Sequence, residues 1–239
     1  MKLKHLCLAV VALFATAGAY AQSAGDTVVN TGWFHIAPQD SSQPLSVNGT
    51  QIPNTGASVD DADTFGLTVT HFFTDNIAAE AVMGIPPKFH LSGQGILASP
   101  AINPLGDARQ WSPALLLKYY FGNAHSKLRP YLGLGVSYIW YSDIHLNPAF
   151  QQQVSGLISQ GTTTALPTSA KLSSSWSPVF NAGLTYNFDK HWSAGFSISY
   201  LPFSTKATLT TSTPAGPVVS TTKLKLDPFV TFLSIGYRF

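Results

Sequence analysis

The last eleven residues constrain this chain most: Phe239, Tyr237, Ile235, Leu233, Thr231 and Phe229 alternate one by one with Arg238, Gly236, Ser234, Phe232 and Val230. A period of two puts successive side chains on opposite faces of an extended ribbon, so the stretch reads as a strand and not as a helix. The same beat returns in Trp192, Ala194, Phe196, Ile198 and Tyr200, set against Ser193, Gly195, Ser197 and Ser199. It returns again in Phe180, Ala182, Leu184, Tyr186 and Phe188, and in Leu132, Leu134, Val136, Tyr138 and Trp140. Fainter versions occupy roughly 27–37, 64–74, 76–90 and 110–121, which makes eight strands.

Which face is apolar decides where such a chain lives. In a soluble barrel the bulky face points inward and a charged face meets water. Here the residues opposite the bulky ones are mostly Gly, Ser, Thr and Asn, and charged residues are only 10% of the chain, against about 25% in an average soluble domain. Small uncharged residues suit the crowded interior of an eight-stranded barrel. Short turns at Asp75-Asn76, 122–128 and Asp189-Lys190 alternate with long polar segments at 38–63, 91–109, 143–173 and 205–221. The pattern predicts an all-β fold: an eight-stranded antiparallel transmembrane β-barrel with short periplasmic turns and long extracellular loops. A secreted sandwich or lipocalin-like barrel is the competing reading of the same periodicity. In the loop at 143–173, Asn147 as cap, Pro148 in the first turn, and Phe150, Val154, Leu157 and Ile158 on one face predict a short helix. Phe72, Phe73, Tyr119, Tyr120, Phe121, Tyr131, Tyr186, Phe188, Trp192, Tyr237 and Phe239 gather near the short turns, as an interfacial girdle would.

Residues 1–21 read as an export signal: Lys2 and Lys4, an apolar run from Leu6 to Ala17, then Ala19-Tyr20-Ala21, with Gln22 as the mature start. The domain expected to remain is 22–239, in the bacterial outer membrane. The chain's single cysteine, Cys7, falls within the leader, which leaves no disulfide, thiolate metal site or Cys-dependent catalysis for the remainder. Without Lys2 and Lys4 the formal charges balance, so a nucleic-acid partner is not expected. The histidines show no zinc-hydrolase spacing and no serine stands out as part of a triad, so neither an enzyme nor a metal or cofactor is expected.

Alternation carried into the barrel turns Glu80 and Lys118 inward at similar heights, where pairing makes two buried charges tolerable. With Arg238 at the periplasmic end, they are expected to form a polar plug. Higher up, the inward positions become apolar: Val82, Leu116, Ile139, Val179, Val230 and Phe232. A narrow apolar lumen sheds water and opposes ions while accepting an alkyl chain; simple filling of the barrel core explains the same residues. Pro86, Pro178, Pro202 and Pro228 stand ten or eleven residues above the short turns or the C-terminus, near the upper limit of a membrane strand of about 9–11 residues. Proline donates nothing to the ladder, so this belt either ends the strands or weakens the wall as a lateral port. Trp176 is a possible rim contact for cargo, although strict alternation leaves it on the lipid face unless a bulge near Pro178 turns it inward.

Several stretches resemble the OmpW family of small outer-membrane barrels: Thr-Asp-Asn-Ile-Ala-Ala-Glu (74–80), Pro-Pro-Lys-Phe (86–89), Tyr-Tyr-Phe-Gly (119–122), Arg-Pro-Tyr-Leu-Gly-Leu-Gly (129–135), Leu-Asp-Pro-Phe-Val (226–230) and Gly-Tyr-Arg-Phe (236–239). They run in order over nearly the whole mature chain. The resemblance implies a narrow apolar channel and a role in moving small hydrophobic compounds, since the family includes relatives linked to alkane uptake. It makes outer-membrane lipids and the barrel assembly machinery, reached through Phe239, the expected partners. The rival expectation is a structural, adhesive or receptor barrel that acts through its extracellular loops.

Overall fold

Eight strands of the computed structural model close on themselves: β1 (Thr27–Ala37), β2 (Ala62–Phe72), β3 (Ile77–Gly84), β4 (Ala114–Tyr120), β5 (Leu128–Leu146), β6 (Ser175–Asn187), β7 (Trp192–Tyr200) and β8 (Phe229–Arg238). The structure describes residues 22–158 and 166–239; the expected leader, Cys7 included, lies outside them. Each strand pairs antiparallel with its sequence neighbour, and β8 returns to β1 with Trp33 opposite Leu233 and Phe34 opposite Phe232. Closure leaves no row of unpaired backbone groups at an edge of the wall, the condition for β structure in lipid.

The apolar face looks out. Leu115, Leu117 and Leu134 are each 58% exposed, and Leu233 and Ile235 lie close behind. Ser137, Ser177, Asn181, Thr185, Ser193, Ser197 and Ser234 are buried around the axis. An unbroken apolar surface of this extent is a lipid-facing surface. Leu134, midway up β5 between Leu117 and Phe180, tests the orientation. Leu134→Arg should lower stability by about 2–4 kcal/mol, as a basic residue does at the bilayer midplane. Urea unfolding from lipid vesicles reads the change, and an unaffected midpoint would place this face away from acyl chains.

The girdle needs one correction. Phe72, Tyr120 and Tyr131 point inward, all at 6% exposure or less, and pack with tilted rings whose centroids are 4.9 and 4.8 Å apart. Strand parity is the reason. In Phe72-Phe73 and Tyr119-Tyr120-Phe121 neighbouring residues cannot share a face, and Phe73, Tyr119 and Phe121 take the outside. At the opposite end of the wall Tyr138, Trp140, Trp111 and Trp176 form an outward aromatic row.

The long loops are not irregular. Thr55–Val59, Lys88–Gly95 and Gly106–Trp111 pair with one another and with the upper half of β5. Thr168–Leu172, Ser204–Thr213 and Gly216–Lys225 form a second sheet, joined by the short strands at 41–42, 46–47 and 50–51. The wall thus continues above the membrane. Ser and Thr in these stretches read as loop composition, but Thr is β-branched and pairs well on a pleated surface. The predicted third strand, 76–90, breaks after Gly84 and resumes at Lys88 as part of this upper storey.

Helix α1 (Pro148–Ile158) follows β5. The Asn147 side-chain oxygen accepts the Ala149 N–H at 2.9 Å, a cap for donors that the first helical turn leaves free. Phe150 and Val154 bury against a column of apolar residues that descends through Leu105, Leu226 and Leu201 to Leu116 and Val179 in the barrel.

Candidate functional site

The upper lumen holds a cavity of about 380 Å³, within the range of small-ligand sites. Phe34, Ile36, Val82, Leu116, Val179, Leu201, Phe203, Val230 and Phe232 wall it, and Thr68, Glu80 and Asn181 meet it from below. Alternation places them: inward positions alternate with lipid-facing ones along each strand, and the apolar inward ones fall in the upper half. Phe34 and Phe232 stack at 3.9 Å with their planes 10° apart. Gly66 makes that possible, since a Cβ there would stand 2.0 Å from the Phe34 ring. Five of the six residues expected to line the lumen do so. The sixth, Ile139, is fully buried but packs into the apolar column rather than lining the cavity. A smaller apolar space of about 90 Å³ lies in the upper storey, and Gln110 borders both.

Below the cavity the lumen is filled. The Lys118 ammonium lies 2.6 Å from a Glu80 carboxylate oxygen and 4.3 Å from the centre of the Tyr131 ring. The other Glu80 oxygen accepts the Thr70 and Thr68 hydroxyls at 2.8 and 3.3 Å, and Thr68 in turn accepts from the Asn30 amide. Around this network about 20 Å³ remains, room for a single water. Lower still, the fully buried Arg129 donates to the backbone carbonyls of Gln22, at 2.7 Å, and of Asp75. Its guanidinium lies over the Tyr120 and Phe72 rings at 5.2 and 5.8 Å. Arg238 closes the rim by pairing with Asp26 at 3.1 Å. Arg129 was legible but not read as part of the plug: two steps of alternation down from Gly133 reach it.

The prolines do not weaken the wall alike. Between β3 and β4 the ladder runs from Ile77 opposite Tyr119 to Val82 opposite Ala114, then stops. It resumes at Lys88 opposite Arg109, above a single bond from the Gln110 N–H to the Pro87 carbonyl at 3.1 Å. In the interval no backbone bond joins Met83–Pro86 to Trp111–Pro113. Pro86, Pro87 and Pro113 have no N–H to offer there. Met83, Gly84, Ile85, Pro86, Ser112 and Pro113 all border the cavity, so this seam adjoins it. Elsewhere the belt is bridged. The Ser177 and Ser175 hydroxyls donate to the Pro202 and Ser204 carbonyls at 3.1 and 2.6 Å, and the Leu201 N–H donates to Pro228 at 3.2 Å. Of the expected ring at Pro86, Pro178, Pro202 and Pro228, the structure thus sets Pro86 apart: with Pro87 and Pro113 it lies at a gap in the backbone ladder that, among the described residues, only the Arg109 guanidinium, 3.3 Å from the Pro86 carbonyl, crosses.

Trp176 stays outside. It is 68% exposed and packs against Tyr138 with tilted rings at 4.8 Å. Unbroken register from Ser175 to Tyr186 along β5 supplies no bulge to turn it inward, so it makes no contact with the cavity.

A sequence profile of the OmpW family matches residues 23–239. Outer membrane protein W of Vibrio cholerae is 29% identical over 97% of this chain and 97% of its own length. The crystal structure of the outer membrane protein OprG from Pseudomonas aeruginosa superposes with a TM-score of 0.80 at 29% identity, over 92% of this chain and 99% of that one. The structure of outer membrane protein AlkL in lipid bilayers gives a TM-score of 0.64 at 25% identity, covering 94% of each chain; the AlkL sequence from Ectopseudomonas oleovorans is 27% identical over 90% of this chain and 83% of its own.

Proposed function

The chain belongs to the OmpW family of outer-membrane barrels, and on that premise we propose that it carries small hydrophobic molecules across the outer membrane by way of the upper lumen and the β3–β4 window. One observation carries the reading: the apolar cavity is blocked toward the periplasm by Glu80, Lys118 and Arg129 and borders the unpaired seam at Met83–Pro86 and Trp111–Pro113. An apolar compound gains by leaving water for the cavity. Going straight down would require breaking a paired, buried charge network. Going sideways requires parting two strand segments that share no backbone bond and delivers the compound to acyl chains, where it stays desolvated. An ion gains nothing at any step. Phe239, 76% exposed at the end of β8, is the terminal aromatic that we assign to recognition by the assembly machinery.

Restoring the missing donors tests this route. A Pro86→Thr, Pro87→Val and Pro113→Thr variant should slow uptake of an apolar fluorescent tracer into vesicles. Pro178→Thr with Pro202→Thr, where the wall is already bridged, should leave uptake unchanged. Equal uptake by both variants and the parent would remove the lateral exit. If uptake then followed exchange of the upper segments, the function would pass to the loops.

A further inference from the structure

The upper sheet of 168–172, 204–213 and 216–225 carries a cluster of basic charge on its outward face. Lys206 stands directly opposite Lys223, with Ser204 opposite Lys225 on one side and Thr208 opposite Thr221 on the other. Lys171 joins the same face through its pairing with Thr208. Lys225 has an acidic partner, Asp227 at 2.8 Å. Among the described residues Lys171, Lys206 and Lys223 form no ion pair. Like charges directly across a strand pair repel, so the sheet supports an unfavourable pairing that an external anion would relieve.

A second feature lies at the same place. Lys206 and Lys223 border a depression of about 460 Å³ that is also lined by Ser46, Gln51, Ser173, Ser204 and Thr221. Ammonium groups beside hydroxyls and an amide suit a sugar that bears phosphate: the lysines take the anion, and the neutral groups exchange hydrogen bonds with ring hydroxyls. The position selects the source. The sheet springs from the wall just above Tyr200 and Phe229, the last outward aromatics of β7 and β8, and lysine stems can lie back along the surface toward the headgroups.

We propose that this depression binds the phosphorylated sugar headgroup of the outer-leaflet glycolipid, holding the barrel in its own membrane by a site separate from the cavity. The inference stands apart from transport, because neither lysine borders the lumen cavity. The test is titration of the detergent-purified full chain with phosphorylated glycolipid, its dephosphorylated form and inorganic phosphate, read by native mass spectrometry and calorimetry. Lys206→Gln with Lys223→Gln should weaken binding of the phosphorylated glycolipid about thirtyfold, given the contribution of single lysines at anionic lipid surfaces. Lys206→Arg with Lys223→Arg should retain it. Heat-modifiable mobility on gels checks that each variant is folded. Unchanged affinity in the glutamine variant overturns the site. Equal affinity for inorganic phosphate and glycolipid reduces it to a general anion patch and overturns the assignment to the lipid.

Discussion

Lys118→Met is expected to lower folding stability by about 3–5 kcal/mol, the usual consequence of removing one partner from a buried ion pair. Lys118 and Glu80 are 4% and 6% exposed, so the Glu80 carboxylate left behind cannot recover its hydration. Two threonine hydroxyls hold that carboxylate, but neutral donors do not replace a cation 2.6 Å away. Adding Glu80→Gln should recover most of the loss, because an uncharged pair of similar volume avoids the desolvation of both ions. Urea titrations of the two single variants and the double variant, followed by tryptophan fluorescence in vesicles, give the coupling. A single variant as stable as the parent would show that water reaches the pair and that the lower lumen is not a plug.

The second large effect falls on uptake. Val82→Trp should reduce tracer uptake about ten- to a hundredfold. The reasoning is that filling the cavity removes the site for an apolar group whose burial is worth about 1.5–3 kcal/mol, and 1.4 kcal/mol is about tenfold in occupancy. Val82 is half-buried beside the window and borders open volume, so the larger ring has space to enter without forcing the wall. Stability should therefore change little. Trp176→Ala, on the outer face, should leave uptake as it was. Full uptake through Val82→Trp would mean that cargo does not pass this cavity.

Much of this architecture is legible in the chain because membrane strands obey one strong rule. Lipid outside and a narrow lumen inside leave alternation almost uncontested, so the strands at 27–37 and 192–200 appear where the pattern puts them. The rule weakened wherever another interaction competed with it. At Phe72 and Tyr120 a run of aromatics masked parity, while Tyr131 simply takes the face opposite the exposed Leu132. Above the membrane, water on the outer face replaces lipid and the contrast between faces fades, so paired strands at 204–213 and 216–225 resemble loops. Parity brought Val82, Leu116, Val179, Val230 and Phe232 to the cavity but misplaced Ile139 and passed over Leu201 and Phe203, which line it from between strands. The window did not follow from parity, because a proline signals a missing donor but not whether a neighbour compensates. Hydroxyls of Ser175 and Ser177 bridge β6 to the segment after β7 at Pro202 and Ser204; across the seam at Pro86 the one side-chain link among the described residues is the long Arg109 arm, 3.3 Å from the Pro86 carbonyl, and Ser137 takes the Pro113 carbonyl from the β5 side. Which outcome holds depends on side chains that meet only after the barrel closes.

Arg129 fastens the periplasmic end through backbone oxygens of Gln22 and Asp75 rather than through their side chains. A main-chain carbonyl is supplied by every amino acid. The contact therefore depends on one side chain alone: a substitution at either acceptor position keeps its carbonyl, while the guanidinium that reads them has no substitute with the same planar fork.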